Sequence, residues 1–215
     1  MNKFLWHLIL ILLSVNVSAL AKDVSAIGKQ IATQANGRGS IPCTTCHGAN
    51  GMGDAAGGFP RLAGLNAEYL SKQLRDFSAG TRNNAVMQPI AKALNAQEVL
   101  EVSNFYTAQD PKSTPAKIDA KLLEQGTHLA LLGNWEKMVP ACIQCHGSGA
   151  HGVGTTFPAL AGQHASYIEA QIKSWKNGTR KNDPNGLMKG IASRLSEGEA
   201  KAVAAYLSSL KAEPQ

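Results

Sequence analysis

The stretch CTTCHGANG, Cys43 to Gly51, returns as CIQCHGSGA, Cys142 to Ala150, 99 residues further on. The likeness runs well beyond the cysteines. FPRLAGLNAEYLSKQLRDFSAGTRNN from Phe59 aligns with FPALAGQHASYIEAQIKSWKNGTRKN from Phe157 at an offset of 98, and MQPIAKALNAQEVLEVSNFYTA from Met87 aligns with MKGIASRLSEGEAKAVAAYLSS from Met188 at 101. A chain that repeats itself at about half its length, with slips of a few residues in loops, folds as two similar domains. Each domain must then find a use for two thiols and an adjacent imidazole. Between the halves, QDPKSTPA has two prolines and no apolar periodicity, which is a linker composition. The expected organisation is an export segment 1–21, a first domain 22–108, a linker 109–117 and a second domain 118–215.

The export segment is read from MNKFLWHLILILLSVNVSALA, with an early lysine, an apolar run from Phe4 to about Val17 and a closing Ala19-Leu20-Ala21. These are the parts of a secretory signal peptide, and the run falls short of the roughly 20 residues that cross a bilayer. The chain remaining after cleavage, from Lys22, is expected to be soluble and exported. Its formal charge falls from +6 to +5 with loss of Lys3, a mild excess that names no partner. Basic residues are scattered rather than massed, which argues against nucleic acid.

Within each half the apolar spacing is helical. Leu70, Leu74 and Phe77 share one face, as do Ile168, Ile172 and Trp175, and each helix ends at a glycine, Gly80 or Gly178, suited to a left-handed cap. Asn95 with Glu98, and Ser196 with Glu199, have the spacing of a capping box that opens a final helix in each domain. Val102, Phe105 and Tyr106 then match Val203, Tyr206 and Leu207 as its buried face. Weaker helices precede the cysteines at about 24–34 and 119–131. No stretch alternates with period two, so the fold class is all-α. Domains this small, with a glycine-rich loop after each cluster, have little apolar core of their own and need something large and apolar at the centre.

Four readings of the cysteine cluster compete. A dithiol redox pair would want a βαβ context and leaves the histidine idle. A structural zinc site lacks a fourth ligand unless His151 or another residue supplies it. Simple disulfides leave the repeated histidine unexplained. Cys-x-x-Cys-His is also the pattern for covalent haem c attachment, in which two thiols add to the vinyl groups and the histidine reaches the iron. Two copies in a repeat, behind an export signal, favour this last reading. The expected cofactors are two covalently bound haem c groups, one on Cys43 and Cys46, the other on Cys142 and Cys145, with His47 and His146 as axial ligands.

The second axial ligand decides between electron transfer and chemistry at the iron. Met87 and Met188 hold the same place in the repeat, 40 and 42 residues after His47 and His146, in what reads as a loop after the second helix. Met52 lies too close to His47 and has no counterpart; Met138 is likewise unpaired. His151 and His164 read as exposed or locally hydrogen-bonded, His128 as a helix surface or packing residue, and His7 as part of the export segment. With His/Met at both irons, no site is open to substrate, so an electron carrier rather than an enzyme is expected. Pro60 and Pro158 are expected to offer carbonyls to the histidine ring N–H groups. The repeated Arg82/Arg180 and Tyr69/Tyr167 are either propionate-holding residues or solvated surface residues.

Through PACIQCHG, FPALAGQHASYIEAQI, NGTRKNDPNGLM and LSEGEAKAVAAYL in the second half, and CTTCHGANGMGD, FPRLAG and GTRNNAVM in the first, the chain resembles the di-haem cytochrome c4 family. The resemblance implies two cytochrome c domains related by a pseudo-twofold, with haem propionate edges near the interface. It also implies a periplasmic carrier, sometimes loosely membrane-associated, whose redox protein partners are a quinol-oxidising complex and a terminal oxidase or other reductase. Two alternatives stay open: the cytochrome subunit of a dehydrogenase and, less favoured, a di-haem peroxidase. The first half departs at Leu65-Asn66, where the second has Gln163-His164.

Overall fold

A computed structural model describes residues 26–112 and 118–215; the export segment 1–21, and residues 113–117 of the linker, lie outside the described residues. The architecture is helical, with no strand among the described residues and only isolated bridges, such as Arg82 to Arg180. The first set of helices is α1 (26–33), α2 (Thr44–His47), α3 (Ala67–Ala79), α4 (Met87–Lys92) and α5 (Ala96–Thr107). The second set repeats it as α6 (Ala120–Leu131), α7 (Ile143–His146), α8 (Ala165–Lys176), α9 (Leu187–Arg194) and α10 (Glu197–Ser209).

Local sequence explains the boundaries. The Asn66 side chain accepts from the Glu68 and Tyr69 amides to open α3, and Gly80, left-handed at φ 79°, closes it. The predicted capping boxes at Asn95/Glu98 and Ser196/Glu199 are both formed. One expectation is corrected: Met87 and Met188 do not sit in loops. Met87 is the first residue of α4 and Met188 the second of α9, and Asn84 accepts from the Met87 amide at 2.8 Å. An asparagine side chain that caps free amides turns what reads as a loop into a helical first turn.

Two core clusters form. One gathers Leu65, Leu70, Val102, Phe105 and Tyr106; the other gathers Leu129, Val139, Ile168, Ile172, Trp175, Val203 and Leu207. Ala159, from the second repeat, packs into the first cluster, so the halves share a boundary rather than merely touching. In each half the opening and closing helices cross at a glycine. A Cβ on Gly28 of α1 would strike the Glu101 carbonyl of α5, and one on Gly126 of α6 would strike the Ala202 carbonyl of α10. These crossings hold the helical frame that positions the motif turns.

Gly126→Ala should therefore lower stability by about 1–3 kcal/mol through overpacking, despite the gain in helix propensity. Thermal unfolding reads the loss as a fall in Tm; an unchanged or higher Tm would contradict so close a crossing.

Candidate haem centres

The two motifs fold as single helical turns. The His47 amide donates to the Cys43 carbonyl and the His146 amide to the Cys142 carbonyl, both at 2.9 Å, so positions i, i+3 and i+4 of each motif bring both thiols and the imidazole to one face. The chain after the turn folds back on it. The Gly53 amide donates to the His47 carbonyl at 2.8 Å, and the Leu62 and Ala63 amides to the Gly51 carbonyl; Gly152, Leu160, Ala161 and Ala150 repeat the arrangement. Gly53, at φ 74°, lies so near the Pro60 carbonyl that a Cβ there would displace it.

This folding-back aims the proline carbonyls at the histidines. His47 Nδ1 lies 3.0 Å from the Pro60 oxygen and His146 Nδ1 lies 2.8 Å from the Pro158 oxygen, as the sequence predicts. A carbonyl only accepts, so the proton is on Nδ1 and each Nε2 keeps its lone pair. Burial lowers both histidine pKa values, outweighing the opposing effect of the carbonyl bond. The imidazoles are neutral, in the form that binds a metal. Phe59 and Phe157 pack edge-on against them, at 6.3 and 6.2 Å between ring centres.

No disulfide joins Cys43, Cys46, Cys142 or Cys145. Burial pushes Cys43 and Cys142 up to about 11, which leaves them protonated near neutrality and poor as a redox dithiol or as thiolate ligands. Among the described residues no group of three or more His, Cys, Asp or Glu is arranged to hold a metal ion. His151, the possible fourth zinc ligand, instead has Nε2 3.7 Å from a Glu213 oxygen.

Both motifs open into a mainly apolar cavity of about 610 Å³, lined by Cys43, Cys46, His47 and Met87 from the first half and Cys142, Cys145, His146 and Met188 from the second. Met138, by contrast, is 67 % exposed and is not among the lining residues. His128 is exposed on α6. His164 departs from the local role expected of it: its Nε2 is 2.9 Å from the Met52 carbonyl in the other half.

Arg82 and Arg180 are buried, which excludes the solvated-surface reading of these two. They cross the boundary reciprocally. Arg82 donates to Tyr167 at 2.5 Å and Gln171 at 2.8 Å; Arg180 donates to Tyr69 at 3.4 Å and Gln73 at 3.0 Å. Backbone bonds repeat the symmetry, Asn83 N–H to Thr179 O and Lys181 N–H to Thr81 O, both 2.8 Å. Each guanidinium also lies over an aromatic ring, Phe77 or Trp175. Burial, reinforced by the like charge of Arg82, pushes the Arg180 pKa down. Burial opposes ionisation of Tyr69, but the nearby guanidiniums outweigh it and hold its phenol below the usual tyrosine range. Gln73 and Gln171 escaped the sequence reading, although they are aligned at an offset of 98.

These features fit a haem. The guanidiniums lining the cavity bond to neutral groups; of the carboxylates, Asp183 on the lining accepts from the Lys189 amide at 2.9 Å, and Asp76 beside it is engaged by Lys72 and Asn182. The buried Trp175 indole N–H, on the same cavity, has no acceptor among the described residues. An apolar cavity with excess positive charge and an unused donor at one edge suits a flat apolar group with carboxylates on its rim.

Fold and motif turns together define a tandem pair of c-type cytochrome domains. The cytochrome c family model matches residues 25–110 and 136–211. A thiosulfate dehydrogenase electron acceptor of Thiomonas intermedia is 51% identical over 173 residues, 80% of either chain. A cytochrome c4 of Thiocapsa roseopersicina is 43% identical over 171 residues, 78% of this chain and 86% of that one. A solved structure described as thiosulfate dehydrogenase (TsdBA) from Marichromatium purpuratum superposes with a TM-score of 0.81 at 40% identity; the match covers 87% of this chain and 40% of that chain. The chain belongs to the cytochrome c4 family, whose cofactor is a pair of covalently bound haem c groups.

Gln73 Oε1 accepts from Arg82, Arg180 and Asn182. Gln73→Leu should cost about 1–3 kcal/mol, because it strands buried donors. Urea unfolding measures it; a change within about 0.5 kcal/mol, the range of an ordinary surface substitution, would show that this node does not hold the halves together.

Proposed function

We propose that the protein is an exported electron carrier with two His/Met-ligated centres, organised as segments 1–21, 22–108, 109–117 and 118–215. Cys43 and Cys46 hold one haem and Cys142 and Cys145 the other, with His47 and Met87, and His146 and Met188, as axial pairs. The observation that carries this reading is the repeated neutral imidazole, fixed through Nδ1 by a proline carbonyl and left with Nε2 free in a cavity also lined by a methionine. When bound, each haem supplies a one-electron ferric/ferrous couple, which a thioether ligand shifts towards the ferrous state.

The chain's residues do the rest. Pro60 and Pro158 hold the imidazole planes and keep the proton on Nδ1. Apolar side chains lining the cavity exclude water, so charge changes are met by fixed dipoles rather than by solvent that must reorganise. Arg82, Arg180, Tyr69, Tyr167 and Trp175 are placed to receive carboxylates where the halves meet, which brings the two centres together at one boundary. With His47 and Met87, and His146 and Met188, holding the irons, no position would be left for a substrate, which favours a carrier over a peroxidase.

The reading places the carrier in the periplasm, in keeping with the export segment. No helix among the described residues is long and apolar enough to cross a membrane. For the electron donor, the thiosulfate dehydrogenase electron acceptor at 51% identity favours a thiosulfate-oxidising dehydrogenase over a quinol-oxidising complex. The downstream acceptor is a terminal oxidase or another reductase.

Two outcomes follow. Met87→Ala or Met188→Ala should convert one centre of the holoprotein to a form that binds cyanide and has a lower midpoint potential; unchanged spectra would show that methionine to be misassigned. Thiosulfate with a thiosulfate dehydrogenase should reduce the ferric protein at a rate that depends on the enzyme. Failure of that reduction, alongside reduction by a quinol-oxidising complex, would reverse the choice of donor.

A further inference from the structure

The hexapeptides FPRLAG and FPALAG differ at one position, Arg61 in the first half against Ala159 in the second. Arg61 is completely buried, and it lines the cavity. Its guanidinium donates through Nη1 to the Ala63 carbonyl and through Nη2 to the Ala161 carbonyl, the latter at 3.0 Å. Ala63 and Ala161 are equivalent residues of the repeat. One side chain therefore binds the same carbonyl in both halves, which is possible only where the two proximal loops meet about the pseudo-twofold.

That location also accounts for Ala159. Two arginines would compete for one space, so the counterpart must be small, and Ala159 is buried in the first core cluster. Gln163, also without a polar counterpart since Leu65 stands opposite, pins the Arg61 backbone. Its Oε1 accepts from the Arg61 amide at 2.9 Å and its Nε2 donates to the Arg61 carbonyl at 3.0 Å.

Among the described residues the Arg61 charge has no carboxylate partner and its Nε no acceptor. Burial pushes its pKa down to about 10, still well above neutrality, so the group remains a cation. Arg61 directly follows Pro60, the carbonyl partner of His47, and its Nη2 reaches the loop whose Pro158 holds His146. Burying a charge costs desolvation, and the two carbonyl bonds could be made by a neutral donor, so fold stability alone gives a weak reason for a cation here.

We propose that Arg61 is a shared positioning residue for electron transfer, one buried cation on the pseudo-twofold that favours the reduced form of both centres together. The inference rests on the His/Met reading of the two haem centres. Each reduction brings in one electron from the partner protein and lowers the charge of one centre by one, and a buried cation nearby favours that change. A unit charge acting across roughly 10 Å at an effective dielectric of about 20 alters such an equilibrium by about tenfold, equivalent to about 59 mV for a one-electron couple.

The test is spectroelectrochemical titration of the holoprotein and three variants. Arg61→Met should lower both midpoint potentials by comparable amounts, of that order. Arg61→Lys should hold both near the parent values, because it keeps the charge. Gln163→Met, which loosens the loop contact and leaves the charge, should reduce thermal stability with both potentials retained. The proposal is overturned by a shift confined to one centre, by unchanged potentials in Arg61→Met, by Arg61→Lys falling as far as the neutral variant, or by Gln163→Met reproducing the shift. A holoprotein without two low-spin His/Met centres would sink the ligand reading and this inference with it. Two normal low-spin centres with any of the other contrary results would sink the inference alone.

Discussion

A hydrogen bond from a buried imidazole to a proline carbonyl, made once in each half, is the contact on which the rest of the molecule converges. To make it, a one-turn helix must present the histidine and a glycine-bearing loop must fold back, so that Phe-Pro lands beside the imidazole ring. The bond selects one tautomer and leaves the other nitrogen unpaired in an apolar cavity. That nitrogen keeps a lone pair facing the cavity, where it would serve a metal.

The same logic governs the core. Leu70, Phe77, Ile168, Ile172 and Trp175 are the inward stripes of their helices, yet all border the cavity instead of forming a closed interior. A short helical domain can accept that only if a large apolar group fills the space, and covalent attachment through two thioethers prevents its loss. Where the halves meet, the chain concentrates what such a group would leave unsatisfied at its polar rim: two crossed guanidiniums, two phenols and an indole N–H. The second half supplies phenol to the arginine of the first, and the reverse, so neither boundary face is complete alone.

Much of this was legible in the sequence because the chain states it twice. Helix faces, capping boxes, the Phe-Pro carbonyls and the placement of Met87 with Met188 all follow from comparing one half with the other. What stayed hidden depends on the join. Gln73 and Gln171 are ordinary helix residues until the second domain brings guanidiniums to them, and Arg61 reads as a surface charge in a loop until the equivalent loop packs over it. Gly28 and Gly126 carry no signal short of knowing which backbone lies opposite. Met87 and Met188 read as loop residues because cap acceptors such as Asn84 act through geometry that spacing does not reveal.

Denaturing intact-mass spectrometry, on protein produced with the haem-maturation machinery, tests the central claim most directly. The account requires a mass equal to the cleaved polypeptide plus two haems that survive unfolding. The bare polypeptide mass, or one haem alone, would contradict it.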